Sequence, residues 1–393
     1  MMPPEQGIIM SKNSSSYQGF EQGPIRPPSE AYSLLIRVTR NCPWNHCAFC
    51  PVYKGSRFSL RSVEDVIKDI DQIKAHIYRI QAQCKNGIIN HNDIQTLWNQ
   101  IPKNEEEAFH AALNWFSNGM MSVFIQDANS LIIKPSHMIT ILKHLRDCFP
   151  QINRITSYAR SHTIARISQE NLNDICAAGL NRIHIGLESG ADAVLKIMKK
   201  GATQKDHITA GLKVKKTNME LSEYVMPGLG GKDLSEQHAM ETAYALNQIN
   251  PDFIRFRSLA IPSGIPLHEM TNQNRFKPCT DVEVAHEIHS MISNFKGIDS
   301  IIASDHILNL FEDVQGKLPG DQKKMLSIID QFLDLPPQEQ VLFQVGRRLG
   351  LFRFLSQLQQ PSLRKQVQTV CDQMNITAET VDQNIQEVIQ RFI

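Results

Sequence analysis

The chain has 393 residues and a formal net charge of +1, and 41% of its residues are hydrophobic. This composition is ordinary for a globular protein with a large core, and it offers no broad basic surface for nucleic acid. No stretch approaches the roughly 18 consecutive apolar residues of a membrane-spanning helix, and no export signal is visible. We therefore expect a cytoplasmic protein without disulfides, no membrane partner and no nucleic-acid partner.

The first part of the chain changes from a polar segment to regular structure. Residues 1–30 are rich in Pro, Gly, Ser and Gln, which predicts a flexible N-terminal tail. Residues 34–40 (LLIRVTR) predict a first strand that ends before a group of cysteines. A helix is expected after Ser62, and residues 82–118 predict a helical insertion.

Strand and helix patterns then alternate over a long part of the chain. Strands are predicted at 121–127, 154–160, 182–190, 220–231, 252–259 and 299–304, with helices between them. Such alternation indicates parallel strands joined by right-handed crossovers. It predicts an α/β domain over 31–305, either a partial βα barrel or an open doubly wound sheet, followed by an α-helical C-terminal region over 306–393.

Three of the eight cysteines lie within nine residues. Cys42, Cys47 and Cys50 follow the first strand with the spacing C-x4-C-x2-C. Three thiolates from one loop can bind three irons of a 4Fe–4S cluster and leave the fourth iron without a protein ligand. Zinc is the alternative, because His46 lies between the thiols and a Cys3His set is common for zinc.

The loop resembles the cluster-binding loop of radical S-adenosylmethionine (SAM) enzymes. Residues 47–50 (CAFC) reproduce that loop's final C-x-aromatic-C, although one extra residue separates the first two cysteines. Three further segments, 123–131 (VFIQDANSL), 183–201 (IHIGLESGADAVLKIMKKG) and 220–259, are similar to successive barrel units of these enzymes. The similarity is to the branch that includes oxygen-independent coproporphyrinogen dehydrogenases and Elp3/MiaB/NifB-like proteins.

This resemblance implies a fold, cofactors and an activity. The fold would be a partial (βα)6-type TIM barrel of the radical SAM kind, with helices at the C-terminus. The cofactors would be a 4Fe–4S cluster on Cys42, Cys47 and Cys50, and S-adenosyl-L-methionine. Reductive cleavage of SAM would give a 5′-deoxyadenosyl radical that abstracts hydrogen from a small-molecule substrate, with a donor such as flavodoxin or ferredoxin supplying the electron. The alternative is a non-catalytic iron–sulfur or zinc protein with a regulatory or interaction role.

The resemblance also implies residues that bind the cofactor, at the carboxyl ends of the strands. Asp127 would accept from the SAM ammonium with support from Asn129, and Glu188 would bind the ribose hydroxyls. Simpler interpretations are that the first two cap a helix and that Glu188 forms an interior ion pair with a strand-end arginine. The complete predicted set for cofactor binding is Phe49, Asp127, Asn129, Ser157, Arg160, Glu188 and Gly228.

Polar residues near the predicted lumen are the catalytic candidates. Arg160, Tyr224 and Arg255 are expected to act on the substrate, and Arg160 would otherwise be a solvated loop charge. Together with Arg37 and Arg257, the arginines suggest a substrate with an anionic group.

Overall fold

The computed structural model of the protein describes residues 17–84 and 86–389. The strands are β1 (Leu34–Arg37), β2 (Thr39–Arg40), β3 (Ser59–Leu60), β4 (Ser122–Gln126), β5 (Arg154–Ala159), β6 (Arg182–Glu188), β7 (Glu220–Val225), β8 (Phe253–Phe256), β9 (Ile301–Ala303) and β10 (Gly316–Lys317).

Fifteen α-helices are present in the described residues. They are α1 (Val63–Gln83), α2 (His91–Trp98), α3 (Glu106–Ser117), α4 (Pro135–Cys148), α5 (Ser161–Arg166), α6 (Gln169–Ala177), α7 (Asp192–Ile197), α8 (Gln204–Lys215), α9 (Gly231–Ile249), α10 (Pro266–Asn272), α11 (Asp281–Ser293), α12 (Gln322–Leu333), α13 (Pro337–Arg348), α14 (Pro361–Met374) and α15 (Val381–Ile389). Short 3-10 helices cover Pro28–Glu30, Lys103–Glu105, Ser130–Ile132 and Leu355–Gln359.

The main sheet is a partial barrel. Its strand order is β1-β4-β5-β6-β7-β8-β9-β10, and every neighbouring pair is parallel except the last. The parallel strands therefore follow one another in chain order, whereas a doubly wound sheet reverses its order at a switch point. This order confirms the barrel interpretation and excludes the open alternative, and the sheet has seven parallel strands.

The two faces of the sheet differ in chemistry. Ile125, Ile183 and Ile254 lie on the outer face, where they are fully buried in the core beneath the helices. The inner face carries aromatic and polar side chains instead, such as Tyr158, which the register pairs with His184 on the next strand. Side chains alternate between faces along a strand. The barrel therefore encloses a polar, aromatic-lined lumen.

The described part of the N-terminal segment packs against the barrel, contrary to the expectation of a flexible tail. Phe20 is buried, and Glu30 is fully buried where it accepts hydrogen bonds from Ser33 Oγ (2.6 Å) and Thr156 Oγ1 (3.0 Å). Gln126 clamps the segment, because its side chain accepts from the Gly23 N–H at 2.8 Å. Specific side-chain contacts thus offset the poor composition of residues 17–30, while residues 1–16 lie outside the described part.

The C-terminal region begins less regularly than the sequence indicates. It opens with β10, which pairs antiparallel with β9, and the first helix starts only at Gln322. An aromatic core holds the region together, in which Phe311 packs against Phe332 of α12 and Phe343 of α13. No helix in the described residues is both long and apolar enough to cross a membrane.

Candidate active site

The cysteine loop connects β2 to β3 just beyond the carboxyl end of β1. Ala48 ties the loop to two neighbouring segments: its N–H donates to Met198 O (2.9 Å), and its carbonyl accepts from the Leu267 N–H (3.0 Å). Ala48 and Phe49 are buried in an apolar cluster, and two of the three cysteines pack against it. The loop is therefore fixed on its inner side while all three thiols stay partly exposed.

The spacing of the thiols fits a multi-iron cluster better than a single ion. A tetrahedral Zn²⁺ with bonds of about 2.3 Å to sulfur would hold two thiolates roughly 3.8 Å apart. The Sγ atoms of Cys42, Cys47 and Cys50 do not all lie within 4.8 Å of one another, and His46 forms no compact ligand group with them. Ligands on three different irons of one cluster need wider spacing. The donor set thus fits a 4Fe–4S cluster with one iron free of protein.

Asp127, directly after β4, anchors both sides of the cysteine loop. Its Oδ2 accepts from Arg37 Nε (2.7 Å) and from the Asn41 N–H (2.9 Å), which precedes the first cysteine. Its Oδ1 accepts from Tyr53 Oη (3.0 Å), which follows the last cysteine. The side chain is fully buried, and burial together with the Asp127 charge raises the pKa of Tyr53. The carboxylate is thus engaged by three donors of the protein itself.

Arg160 joins the cysteine loop to the segment after α7. Its guanidinium donates to Lys200 O (2.7 Å) and Gly201 O (3.2 Å), and it lies 5.1 Å from the centre of the Trp44 ring. The Trp44 Nε1–H donates to Lys199 O (2.7 Å). Gly201 has φ +67°, and a Cβ there would lie 2.4 Å from the Trp44 ring. The Arg160 guanidinium is therefore engaged by two backbone carbonyls and the Trp44 ring and is not a solvated loop charge.

Asn129 and Ser157 are also engaged within the protein. Asn129 Oδ1 accepts from the Arg160 N–H, and its Nδ2 donates to Thr163 Oγ1, both at 2.9 Å. Ser157 is paired in the register with Ile125 and Ile183 on the helix-facing side of the sheet, and it is fully buried. Strand alternation turns its hydroxyl away from the lumen, so the structure does not bring Ser157 to the predicted cofactor site.

Glu188 forms an ion pair at the carboxyl end of β6. It has φ +62°, and the register with β7 shifts between Gly186 and Glu188. Its Oε1 lies 3.1 Å from Lys200 Nζ, and a Cβ at position 186 would come within 2.2 Å of that oxygen. Burial alone would lower the pKa of Lys200, but Glu188 and Cys47 raise it. The partner is a lysine and not the strand-end arginine that the sequence suggested.

The glycine-rich turn after β7 is held by a buried carboxylate. The Gly228 N–H donates to Glu287 Oε1 at 2.6 Å, and Ser235 Oγ donates to the other oxygen at 2.6 Å. Gly228 has φ +86°, a conformation that glycine adopts readily. Its amide is therefore already engaged, and only its bare Cα surface remains for close contact with a ligand.

The lumen brings two of the predicted catalytic residues together. The register pairs Tyr224 with Arg255 on the inner face. The Tyr224 ring contacts those of His184 (5.5 Å) and Tyr158 (6.3 Å), and burial raises the pKa of Tyr224 to about 12. The Arg255 guanidinium already has protein partners, because it donates to Ser222 Oγ (3.2 Å) and Asp305 Oδ2 (3.1 Å).

Arg257 differs from the other lumen cations. It is exposed, and it makes no hydrogen bond or ion pair through its side chain with the described residues, although its charge acts on Tyr158, Tyr224 and His306. Burial and this charge lower the pKa of His306 to about 4. A positive charge that pairs with no described residue thus lies near the lumen tyrosines, which suits an anionic group.

Comparison with known families accounts for this geometry. Residues 90–243 match the radical SAM superfamily. The chain is therefore similar to radical SAM enzymes over that range. Enzymes of that superfamily use a 4Fe–4S cluster and S-adenosylmethionine. The matched range begins after the cysteine loop, so the assignment of the cluster ligands depends on the loop itself.

Curated relatives are similar to parts of the chain. A tRNA uridine(34) acetyltransferase of Methanocaldococcus infernus is 26% identical over 30% of this chain and 22% of its own length. A tRNA-2-methylthio-N(6)-dimethylallyladenosine synthase of Christiangramia forsetii is 22% identical over 63% of this chain and 46% of its own length. This chain thus spans less than half of these relatives.

Solved structures of radical SAM enzymes also resemble the chain. Elp3 of Methanocaldococcus infernus has 16% identity and a TM-score of 0.40 over 54% of this chain and 53% of its own. Methylornithine synthase has 10% identity and a TM-score of 0.41 over 75% of this chain and 68% of its own.

Sequence reasoning missed four residues of this candidate site. Tyr53 donates a hydrogen bond to Asp127, and Lys200 donates one to Glu188. Tyr158 and His184 line the lumen. The strand patterns contained a signal for the last two, because they lie two residues from other inner-face positions. Lys200 and Tyr53 lie in loops, where the sequence carries no periodic signal.

Proposed function

We propose that Cys42, Cys47 and Cys50 hold the 4Fe–4S cluster and leave its fourth iron for S-adenosylmethionine. When bound, the cluster supplies an electron that cleaves SAM to a 5′-deoxyadenosyl radical, which abstracts hydrogen from an organic substrate. The observation that carries this proposal is the set of three partly exposed thiols, too far apart for one ion, at the carboxyl end of a parallel barrel. Enzymes of this architecture place their sites at that end.

The residues around the loop divide into those that hold it and those available to SAM. Asp127, Asn129 and Arg160 are engaged by protein groups, so we assign them positioning functions. Glu188 has one oxygen on Lys200 and a second that can accept from the ribose hydroxyls. Phe49 and the bare face of Gly228 are suited to the adenine.

We assign recognition of the substrate to the lumen. Arg257 supplies a cation without a protein partner, and Tyr224 and Tyr158 add hydroxyl groups beside it. This arrangement favours an organic substrate with a carboxylate or phosphate group. Tyr224 and Arg255 stay our candidates for contact with the reacting part of that substrate.

A tRNA nucleoside is the second candidate substrate. The expectation that nucleic acid is not a partner finds no support, because the curated relatives are named for tRNA modification. A nucleotide phosphate would also suit Arg257. The protein's charge of +1 favours the small molecule, since tRNA binding draws on many cationic contacts.

The electron source and the cellular location complete the proposal. One-electron cleavage of SAM needs a reductant, for which a flavodoxin or ferredoxin in the cytoplasm is suited. We further propose that residues 31–305 form the catalytic barrel and 306–393 a helical region that supports it.

The first test is substitution of one cluster ligand. Anaerobically reconstituted protein should hold about four irons per chain and, with dithionite and SAM, form 5′-deoxyadenosine. Cys47→Ala should lower iron to below about one per chain and abolish that product, because two thiolates do not retain the cluster. Iron analysis and mass spectrometry of the nucleoside give the readouts.

The matched control is Cys84→Ala, which removes a thiol that donates to Ile80 O at the end of α1. It should retain iron and product formation. Undiminished 5′-deoxyadenosine formation by Cys47→Ala would contradict the ligand assignment.

A further inference from the structure

A second group of metal-binding side chains lies outside the barrel, between α1 and α4. Asp71 belongs to α1, while His144 and Cys148 lie one turn apart on α4, so both face the same neighbour. Their ligand atoms all lie within 4.8 Å of one another, and the described residues contain no other group of three such side chains that meets this criterion.

The distances within this trio lie within about 0.6 Å of the edges of a metal tetrahedron. His144 Nε2 lies 2.8 Å from Asp71 Oδ1 and 3.5 Å from Cys148 Sγ, and the sulfur lies 4.0 Å from that oxygen. Zinc bonds of about 2.0–2.3 Å at tetrahedral angles give edges of roughly 3.4–3.6 Å. Shifts of about half an ångström would therefore complete three ligand positions.

The chemistry and accessibility of the trio also suit a borderline-soft divalent ion. Thiolate, imidazole and carboxylate are the three ligand types that zinc uses. Asp71 is exposed, and His144 and Cys148 are partly exposed, so an ion can enter from solvent. Lys74 also reaches the thiol, and its long stem allows it to withdraw when a metal displaces the thiol proton.

We propose that Asp71, His144 and Cys148 bind one Zn²⁺ ion, with water as the fourth ligand. The ion would join α4 to α1, the helix that follows the cluster loop in the chain. Nothing in this site contacts the cysteine loop, so zinc binding and iron binding are separate properties of the protein.

Zinc titration of the full-length, cluster-loaded protein tests the proposal, because occupied cluster thiols cannot then bind the added metal. Zinc chloride should bind at one equivalent to the wild-type protein, and cobalt chloride should give a thiolate-to-cobalt charge-transfer band. Cys148→Ser and His144→Ala should each weaken binding by more than about 100-fold, beyond the cost of losing an outer-shell partner. Cys148→Ser should also lose the cobalt band.

Cys176→Ser is the matched control, since Cys176 is a partly exposed helix cysteine outside the trio. It should bind zinc as the wild type does, and iron content should be the same in all four proteins. The proposal is overturned if the wild type binds no zinc, or if Cys148→Ser keeps the same zinc stoichiometry and cobalt band.

Discussion

A single carboxylate, Asp127, holds the cluster loop through donors on both sides of it. Asp127→Asn removes the charge opposite Arg37, and breaking a buried ion pair costs about 3 kcal/mol. We expect the free energy of unfolding to fall by about that amount and reconstituted iron to fall with it. Denaturant titration and iron analysis measure the two effects.

Tyr53→Phe is the milder companion variant, because it removes one of the three donors to Asp127 and no charge. It should cost about 1 kcal/mol. Equal losses of stability in the two variants would show that the charge on Asp127 has no special importance.

Glu188 has one carboxylate oxygen on Lys200, and we propose that the other binds SAM. If its free oxygen accepts from the ribose of SAM, Glu188→Gln should weaken SAM binding about 10- to 100-fold, the value of one charge-assisted hydrogen bond. Iron content should not change. Equilibrium dialysis with labelled SAM on cluster-loaded protein gives the dissociation constant.

Glu220→Gln is the control for this prediction, since Glu220 pairs with Arg182 at the opposite end of the same two strands. It should leave SAM affinity unchanged. A Glu188→Gln protein with wild-type affinity would remove Glu188 from the cofactor site.

Residues 17–30, which we call the strap, are held to the barrel by hydrogen bonds and ion pairs. Glu21 pairs with three arginines near the cluster loop: Arg37 (3.2 Å), Arg40 (2.6 Å) and Arg61 (2.7 Å). Burial alone would raise the pKa of Glu21, but the hydrogen bond from Arg40 and the charges of Arg61 and Arg37 hold it below its ordinary value of 4.5.

This pKa predicts the pH dependence of the strap. A carboxyl whose pKa is lower in the folded state stabilises the fold above its unfolded pKa, and this contribution disappears as the pH falls through the folded pKa. Glu21→Gln should therefore destabilise the protein at pH 7, and its difference from the wild type should shrink below about pH 4.5. Denaturant titrations of both proteins, at pH 7 and at a pH below about 4.5, measure the difference in the free energy of unfolding.

Glu107→Gln serves as the control for the strap, because Glu107 is an exposed residue of α3 that forms no ion pair with the described residues. Its effect should be small at both pH values. If the Glu21→Gln difference stays constant with pH, the arginine contacts do not depend on the charge of Glu21.

The elements of the barrel could be predicted better than their contacts. The hydrophobic periodicity of a strand or a helix is a local pattern. The alternation of strands and helices and the cysteine loop could therefore be predicted from the sequence. The packing of residues 17–30 was not, because it depends on contacts such as Gln126 to Gly23, more than 100 residues apart. The engagement of Asp127 and the pairing of Glu188 with Lys200 are likewise set by tertiary structure.

The proposed cofactor site and the proposed substrate site lie at the same end of the barrel, where Arg257 is the cation that we assign to the substrate. Arg257→Gln should leave substrate-free formation of 5′-deoxyadenosine unchanged and abolish hydrogen transfer from substrate, because only substrate recognition uses this cation. An extract of cells grown in deuterated water supplies the substrate pool. Mass spectrometry of deuterium in 5′-deoxyadenosine reports the transfer.

Arg275→Gln is the control, since Arg275 is an exposed arginine after α10 that forms no ion pair with the described residues. It should transfer deuterium as the wild type does. Wild-type labelling by Arg257→Gln would refute an anion site at this position.

The contact between Trp44 and the Lys199–Gly201 turn has an optical consequence. Only three tryptophans are present, and the other two, Trp98 and Trp115, belong to the helical insertion. Trp44 lies two residues from Cys42, so a cluster bound by the proposed ligands would lie near the indole and would absorb broadly in the near ultraviolet and visible. The fluorescence of Trp44 should fall as iron and sulfide assemble on the loop. Tryptophan emission would therefore measure how much of the protein holds a cluster.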